Sequence, residues 1–223
     1  MTTLNFRTFM ERAPTGKKKI AIFDFDGTLV LTPGPEEGMD AYKRGTGKPW
    51  KIQSSSVAIQ HGFDPKMRRT GWWGRKETLE SPIFEPTEDK LNPTVVAALQ
   101  QARQDTETYT VVMTGRHGKL ENRVKEILNM HNIYADEYFF RGHKDLTKMD
   151  GYPHRGDTLD YKVFVILNRL MSPEIRELEI WDDRAEHIAR FVQFGNSLIR
   201  EWPKLELVTV HDVTSGKIHR INK

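Results

Sequence analysis

The 223-residue chain contains no cysteine. That absence excludes a disulfide framework, a thiolate metal site and a cysteine nucleophile together. No apolar run is long enough to span a bilayer, and the amino end, Met1 to Lys19, has no apolar stretch of the secretory type. The expectation is a cytoplasmic protein with no membrane partner. A dominant charge is also lacking, since 34 Lys and Arg stand against 31 Asp and Glu for a formal net charge of +3. An excess that small says little about partners, and its distribution matters more. No internal repeat and no low-complexity segment interrupts the chain. With 37% hydrophobic and 10% aromatic residues, the length suffices for one substantial core, so one domain plus an insertion is expected.

What the chain does contain is a stretch around which the rest is organised, Ile20-Ala21-Ile22-Phe23-Asp24-Phe25-Asp26-Gly27-Thr28-Leu29-Val30. The apolar run predicts a strand over residues 18–25, buried on both faces as in a parallel sheet. Asp24 then falls at the strand end and Asp26 on a turn that Gly27 permits. A lone Asp-x-Asp is usually a solvated turn. The longer string Asp24-Phe25-Asp26-Gly27-Thr28-Leu29 resembles the first motif of the haloacid dehalogenase-like (HAD) phosphohydrolases. The resemblance implies that Asp24 is a nucleophile and Asp26 a general acid/base.

Proline and glycine punctuate residues 31–90 so often that long helices are not expected there. The segment is too long for a structureless loop in a compact domain. It reads as a cap-like insertion over the sheet edge, with residues 1–30 and 91–223 forming the catalytic core. Gly45-Thr46-Gly47-Lys48 lacks the first glycine of a phosphate loop and is followed by Pro49, which rules out a Walker A site. From Asn92, a cap followed by Pro93, the period becomes helical to about Gln104. The pattern then predicts a strand over 109–116, a helix over 118–131, a strand over 137–141, a polar loop over 142–157, and a helix over 159–171. A strand over 178–181, a helix over 185–201, a strand over 205–210 and a terminal hairpin with Ser215-Gly216 at its turn complete the chain. Strands alternating with helices imply an α/β fold with a doubly wound parallel sheet, the HAD-like Rossmannoid arrangement, carrying a small insertion after the first strand.

Three predicted strands end in reactive groups: Asp24 with Asp26, Thr114-Gly115-Arg116, and Asp182-Asp183. Ligands of an open α/β sheet bind outside the carboxyl ends of its strands, so these groups should converge. Phosphate and a carboxylate repel each other, and oxygen ligands at such an edge suit Mg²⁺. Asp24, one of Asp182 or Asp183, and the main-chain carbonyl of Asp26 are the candidate ligands. Thr114 can donate to a phosphoryl oxygen, Gly115 and Arg116 are substrate-binding candidates, and Arg116 can hold a phosphate bidentately. Lys162, in Asp157-Thr158-Leu159-Asp160-Tyr161-Lys162, is the candidate to bind Asp24 and the phosphate together. These matches extend the HAD resemblance to four motifs in order. Thr114-Gly115-Arg116 and Asp182-Asp183-Arg184 look like the phosphatase domain of polynucleotide kinase/phosphatases, which implies Asp183 as the direct ligand, with Asp182 orienting Lys162 or a water. Gly71-Trp72-Trp73 and the Lys162 block look similar to the HAD domain of Swiss Army Knife RNA-repair proteins.

The insertion bears on the substrate. Between residues 43 and 76 lie Lys43, Arg44, Lys48, Lys51, Lys66, Arg68, Arg69, Arg75 and Lys76, interleaved with Trp50, Trp72 and Trp73. Cations can track a phosphate backbone and indoles can stack on bases. The alternative is a Trp-centred mini-core with a solvated basic rim. Trp72, Trp73 and Arg75 are the substrate-binding candidates. The expectation is a phosphatase acting on a phosphorylated nucleic-acid end, RNA ahead of DNA and a 3′ end ahead of a 5′ end. A small-metabolite or nucleotide phosphatase, and a non-catalytic nucleic-acid-binding protein on the same fold, stay open, as does the oligomeric state. His117, His143, His154 and His187 show no metal-ligand spacing, and Trp181 reads as core.

Overall fold

The computed structural model describes residues 16–50, 63–64, 69–70, 72–154 and 156–223, with the backbone alone at 63–64 and 69–70. The expectations for Lys51, Lys66, Arg68, Gly71 and the side chain of Arg69 therefore lie outside the described residues, as does most of the amino end.

The first strand, β1 (Lys19–Phe23), is apolar and buried from its second residue onward. It lies between β4 (Thr108–His117) and β6 (Glu177–Asp182), parallel to both. On the far side of β4 lies β5 (Glu137–Arg141), also parallel. β7 (Leu207–Asp212) continues the parallel set beyond β6, and β8 (Ile218–Asn222) closes that edge antiparallel. The order β5-β4-β1-β6-β7-β8 places β1 where successive crossovers leave in opposite directions. That is where the crevice of a doubly wound sheet opens. A second sheet consists of two short strands, β2 (Phe63–Asp64) and β3 (Arg69–Thr70).

Alternate residues of β1 feed two cores, one on each face of the sheet. Ile20 and Ile22 join Tyr161, Phe164 and Phe191 on one side. Ala21 and Phe23 join Val95, Leu99, Leu79 and Trp72 on the other. The segment 72–84 thus buries Trp72, Leu79, Ile83 and Phe84 against Phe25 and Leu29. Among the described residues no helix is long and apolar enough to cross a membrane.

The expectation that residues 31–90 hold no long helix is corrected by α1 (Pro35–Thr46), twelve residues long. The residues read there as breakers are its boundaries. Pro35 opens it, Glu36 and Glu37 lie in the first turn, Lys43 and Arg44 in the last, and Gly47 ends it with φ of 69°. Gly38, inside the helix, permits a close approach, since a Cβ there would lie 2.2 Å from the indole of Trp72.

Elsewhere the pattern reading and the structure agree closely. α2 (Pro93–Gln104) is capped by Asn92, and α3 (Glu121–Met130) follows a short 3₁₀ turn over 118–120. The stretch 142–157 is not all loop, because one turn of helix, α4 (Lys144–Thr147), is capped by His143. α5 (Thr158–Val165) passes into a π turn over Ile166–Leu170. α6 (Ala185–Glu201) has the predicted bounds. The terminal hairpin forms between β7 and β8, so its first strand is the predicted 205–210 strand itself.

Candidate active site

Asp24 follows β1 directly, and its main-chain N–H donates to the carbonyl of Trp181 at 3.0 Å. The chain then turns through Gly27 at φ of 69°. A Cβ at Gly27 would lie 2.2 Å from Oδ2 of Asp183, so glycine serves both the turn and the approach of the two loops. Asp183 is tied from behind by the β7–β8 turn, where Thr214 Oγ1 donates to its carbonyl at 2.6 Å. At the end of β4 the pairing with β5 becomes irregular between Thr114 and His117. Such irregularities re-aim side chains at a sheet edge. Gly115 there leaves room for Thr158, whose methyl would be 2.5 Å from an added Cβ.

Lys162 is brought in by α5, whose first turn is fixed by a capping box between Asp157 and Asp160. Its Nζ lies 2.8 Å from Asp24 Oδ2 and 2.7 Å from Asp182 Oδ2, and all three side chains are buried. Asp182 also holds the Nδ1 of His187, at 3.0 and 3.1 Å from its two oxygens. Burial alone would raise Asp182, but Lys162 and His187 outweigh it and hold this carboxyl below the usual range. Burial raises Asp24, with Lys162 opposing and the neighbouring carboxylates adding to the rise. Burial and Asp182 push Asp183 up to about 7.

One ammonium therefore serves three clustered carboxyl groups, which leaves a demand for further positive charge. Oδ1 of Asp183 is buried without a hydrogen-bond partner among the described residues. An orphaned carboxylate oxygen beside Asp24 fits a hard, oxygen-seeking cation such as Mg²⁺. Donor atoms of Asp24, Asp182 and His187 also lie within 4.8 Å of one another. In that set Asp182 is already engaged by Lys162 and His187, so the Asp24 and Asp183 side is where a cation relieves the larger charge imbalance.

Arg116, expected to hold a phosphate bidentately, is engaged within the protein. It is fully buried, with Nε donating to Asp26 Oδ1 and Oδ2 at 2.9 and 3.0 Å and Nη2 to Oδ1 at 2.7 Å. Its Nη1 donates to Thr78 Oγ1 at 2.9 Å. In this arrangement the guanidinium holds the Asp26 carboxylate, a correction to the reading of Arg116 as a free phosphate fork. Thr32 Oγ1 adds a bond to Asp26 Oδ1 at 2.7 Å. Thr114 is buried and accepts from the Arg116 N–H at 3.1 Å.

These groups surround one cavity of about 310 Å³, whose walls include Asp24, Asp26, Gly115, Arg116, Asp183 and Trp73. Lys162, Asp182, Thr114, Trp72 and Arg75 are not among the residues that line it. Trp72 is corrected from a stacking surface to a core residue. Its ring is buried against Trp50 at 5.5 Å and its Nε1 donates to the carbonyl of Pro33 at 3.1 Å. Trp73 is half-buried, and Arg116 stacks over its ring at 5.5 Å. Thr32, Thr78 and Thr214 were missed because isolated threonines in irregular stretches carry no periodic signal, and Thr158, at the start of α5, was quoted only as part of the Lys162 block. His187 sits four residues after Asp183, a spacing that carried no metal signature because its partner is Asp182.

The HAD domain family 1 in Swiss Army Knife RNA repair proteins matches residues 52–217 of this chain. An uncharacterized protein of Saccharomyces cerevisiae is 26% identical over 204 residues, covering 84% of this chain and 39% of that protein. The chain thus spans about two fifths of the length of this curated relative. A solved structure of a Pnkp1/Rnl/Hen1 complex aligns at 17% identity with a TM-score of 0.42, over 82% of this chain and 45% of that one.

Proposed function

This chain belongs to HAD domain family 1 of the Swiss Army Knife RNA repair proteins, and from that premise we propose a Mg²⁺-dependent phosphatase that removes a terminal phosphate from a polynucleotide through an aspartyl-phosphate on Asp24. The observation that carries the reading is Lys162, 2.8 Å from Asp24 and 2.7 Å from Asp182, behind a cavity walled by Asp24, Asp26, Arg116 and Asp183. An ammonium so placed orients the proposed nucleophile and opposes the loss of charge that burial favours.

Oδ of Asp24 bonds to phosphorus as the bond to the ester oxygen breaks, and the proton of the phosphate monoanion passes through the Asp26 carboxylate to the departing oxygen. Water then attacks phosphorus, Asp26 takes its proton, the bond to Asp24 breaks, and the proton leaves with the inorganic phosphate. Arg116 and Thr32 hold the Asp26 carboxyl at the cavity wall for both transfers. Mg²⁺, when bound by Asp24, Asp183 and the Asp26 main-chain carbonyl, supplies the charge that lets a phosphate approach. Asp182 serves Lys162 rather than the cation. Residues 31–90 act as a cap-like segment that screens substrates over a core of 1–30 and 91–223. Trp73, paired with Arg116, offers an aromatic surface for a base or ribose, and the exposed Lys43, Arg44 and Lys48 offer contacts for a strand.

The buried Trp72 and the modest cavity favour a second reading, a nucleotide or small-metabolite phosphatase. Two tests separate the readings. Phosphate release from an aryl phosphate should require Mg²⁺ and stop in excess EDTA, and full activity in EDTA would overturn the mechanism. Catalytic efficiency on a 3′-phosphorylated RNA oligonucleotide should exceed that on the 3′-mononucleotide and fall as salt rises. Equal efficiencies without salt dependence return the protein to the small-substrate class.

A further inference from the structure

Next to the candidate active site lies a larger cavity of about 660 Å³ that the proposed chemistry does not use. Thr158, Arg184 and His187 line both cavities, so the two spaces are neighbours that share these side chains. The volume is in the range of about 300–1,000 Å³ typical of small-molecule sites. Three arginines line the larger space, Arg141, Arg184 and Arg190.

Their charges are not equivalent. Arg184 is paired with Glu186, with Nη2 2.6 Å from Oε1. Arg190 is paired with Asp157 at 2.8 Å and Asp160 at 2.7 Å. Arg141, at the last position of β5, donates Nη2 to the carbonyl of Gly156. Among the described residues no carboxylate pairs with it. One guanidinium is therefore oriented by a main-chain oxygen while its charge is left for something else. A phosphodiester is the anion that a planar guanidinium fits and that a strand carries beside its terminal phosphate.

Resting on the phosphatase reading above, we propose that this second cavity is the subsite for the nucleotide next to the scissile phosphate, and that Arg141 binds its phosphodiester. With the terminal phosphate over Asp24, the strand would run past Thr158 and His187 toward Arg141. Selection of a polynucleotide end over a mononucleotide would then be built into the sheet edge itself, independent of the basic residues in 43–76.

The test uses the full chain and three substrates: an aryl phosphate, a 3′-phosphorylated mononucleotide, and a dinucleotide carrying one phosphodiester and a terminal 3′ phosphate. The wild-type protein should favour the dinucleotide over the mononucleotide. In Arg141→Gln that preference should fall about tenfold, the size of one charge-assisted contact. The slope of log efficiency against log salt on the dinucleotide should become shallower by about 0.7, the value for one single-strand phosphate contact. Arg141→Lys, which keeps the charge and loses the fork, should retain part of the preference. An unchanged preference in Arg141→Gln, or an equal loss on mononucleotide and dinucleotide, overturns the subsite. Should the wild-type protein hydrolyse none of the three, the phosphatase reading fails by itself. Titration of a fluorescent dinucleotide into the Asp24→Asn protein, with and without Arg141→Gln, then decides the subsite. Salt-dependent binding lost with Arg141 supports it, and binding indifferent to Arg141 removes it.

Discussion

At the scale of single residues, Asp24 and Asp26 look alike in sequence and differ sharply in surroundings. Asp24 stands among other carboxyl groups with one shared ammonium, so Asp24→Asn relieves repulsion while removing the proposed nucleophile. Turnover should fall by orders of magnitude with the unfolding midpoint in urea unchanged or higher. Asp26 instead balances the fully buried Arg116. Breaking a buried pair by removing one partner costs about 3–5 kcal/mol, because the other charge is left without compensation. Asp26→Asn should therefore lose both activity and about 3 kcal/mol of stability, read by urea unfolding. Replacing Arg116 by Met as well should recover much of that stability without recovering activity. Stability of Asp26→Asn equal to wild type would mean that the pair contributes nothing to the fold. Both carboxylates were legible in the sequence because their motif is contiguous, and so was Lys162, from its place at a helix start. The Asp26–Arg116 pairing was not, since it joins positions ninety residues apart and the sequence shows only that each ends a strand.

At the scale of elements, the sheet was legible because an apolar run flanked by helical periods has one good placement. α1 was not, because the glycines and prolines that bound it are also turn formers. Its Gly38 carries a prediction: Gly38→Ala, normally stabilising in a helix by roughly 1 kcal/mol, should destabilise here because the added methyl meets Trp72. A thermal midpoint at or above wild type would contradict the packing. A second prediction concerns the neighbouring strands β1, β6 and β7. Glu179 of β6 is engaged by Lys19 and by His211, the latter at 2.9 Å, and Trp181 Nε1 donates to it at 3.0 Å. Burial opposes ionisation, yet the neighbouring His211 and Lys19 prevail and bring Glu179 from 4.5 down to about 2. A depressed carboxyl stabilises the fold above its unfolded value and loses that contribution as pH falls toward its folded value. Glu179→Gln should thus cost about 1–2 kcal/mol at pH 7, and the gap to wild type should shrink as pH falls from 5 toward 2. A gap constant with pH would show that packing, not charge, is responsible.

At the scale of the whole molecule, the loops that follow β1 and β6, the last residues of β4 and the amino end of α5 converge on one cavity. The surplus of negative charge there makes a cation part of the account. Mg²⁺ should raise the thermal midpoint by linkage, a gain of RT ln(1 + [Mg²⁺]/Kd) in free energy. Asp183→Asn should abolish that rise while leaving the metal-free protein at least as stable. The claim that the cavity performs phosphoryl transfer through Asp24 is tested most directly by acid-quenching the protein during turnover of a 3′-phosphorylated RNA oligonucleotide with Mg²⁺ and weighing its peptides. The account predicts one phosphoryl group on the peptide containing Asp24, labile to base and absent from the Asp24→Asn protein, which should release no phosphate. Phosphate release by Asp24→Asn at the wild-type rate, with no phosphorylated peptide in either protein, would contradict it.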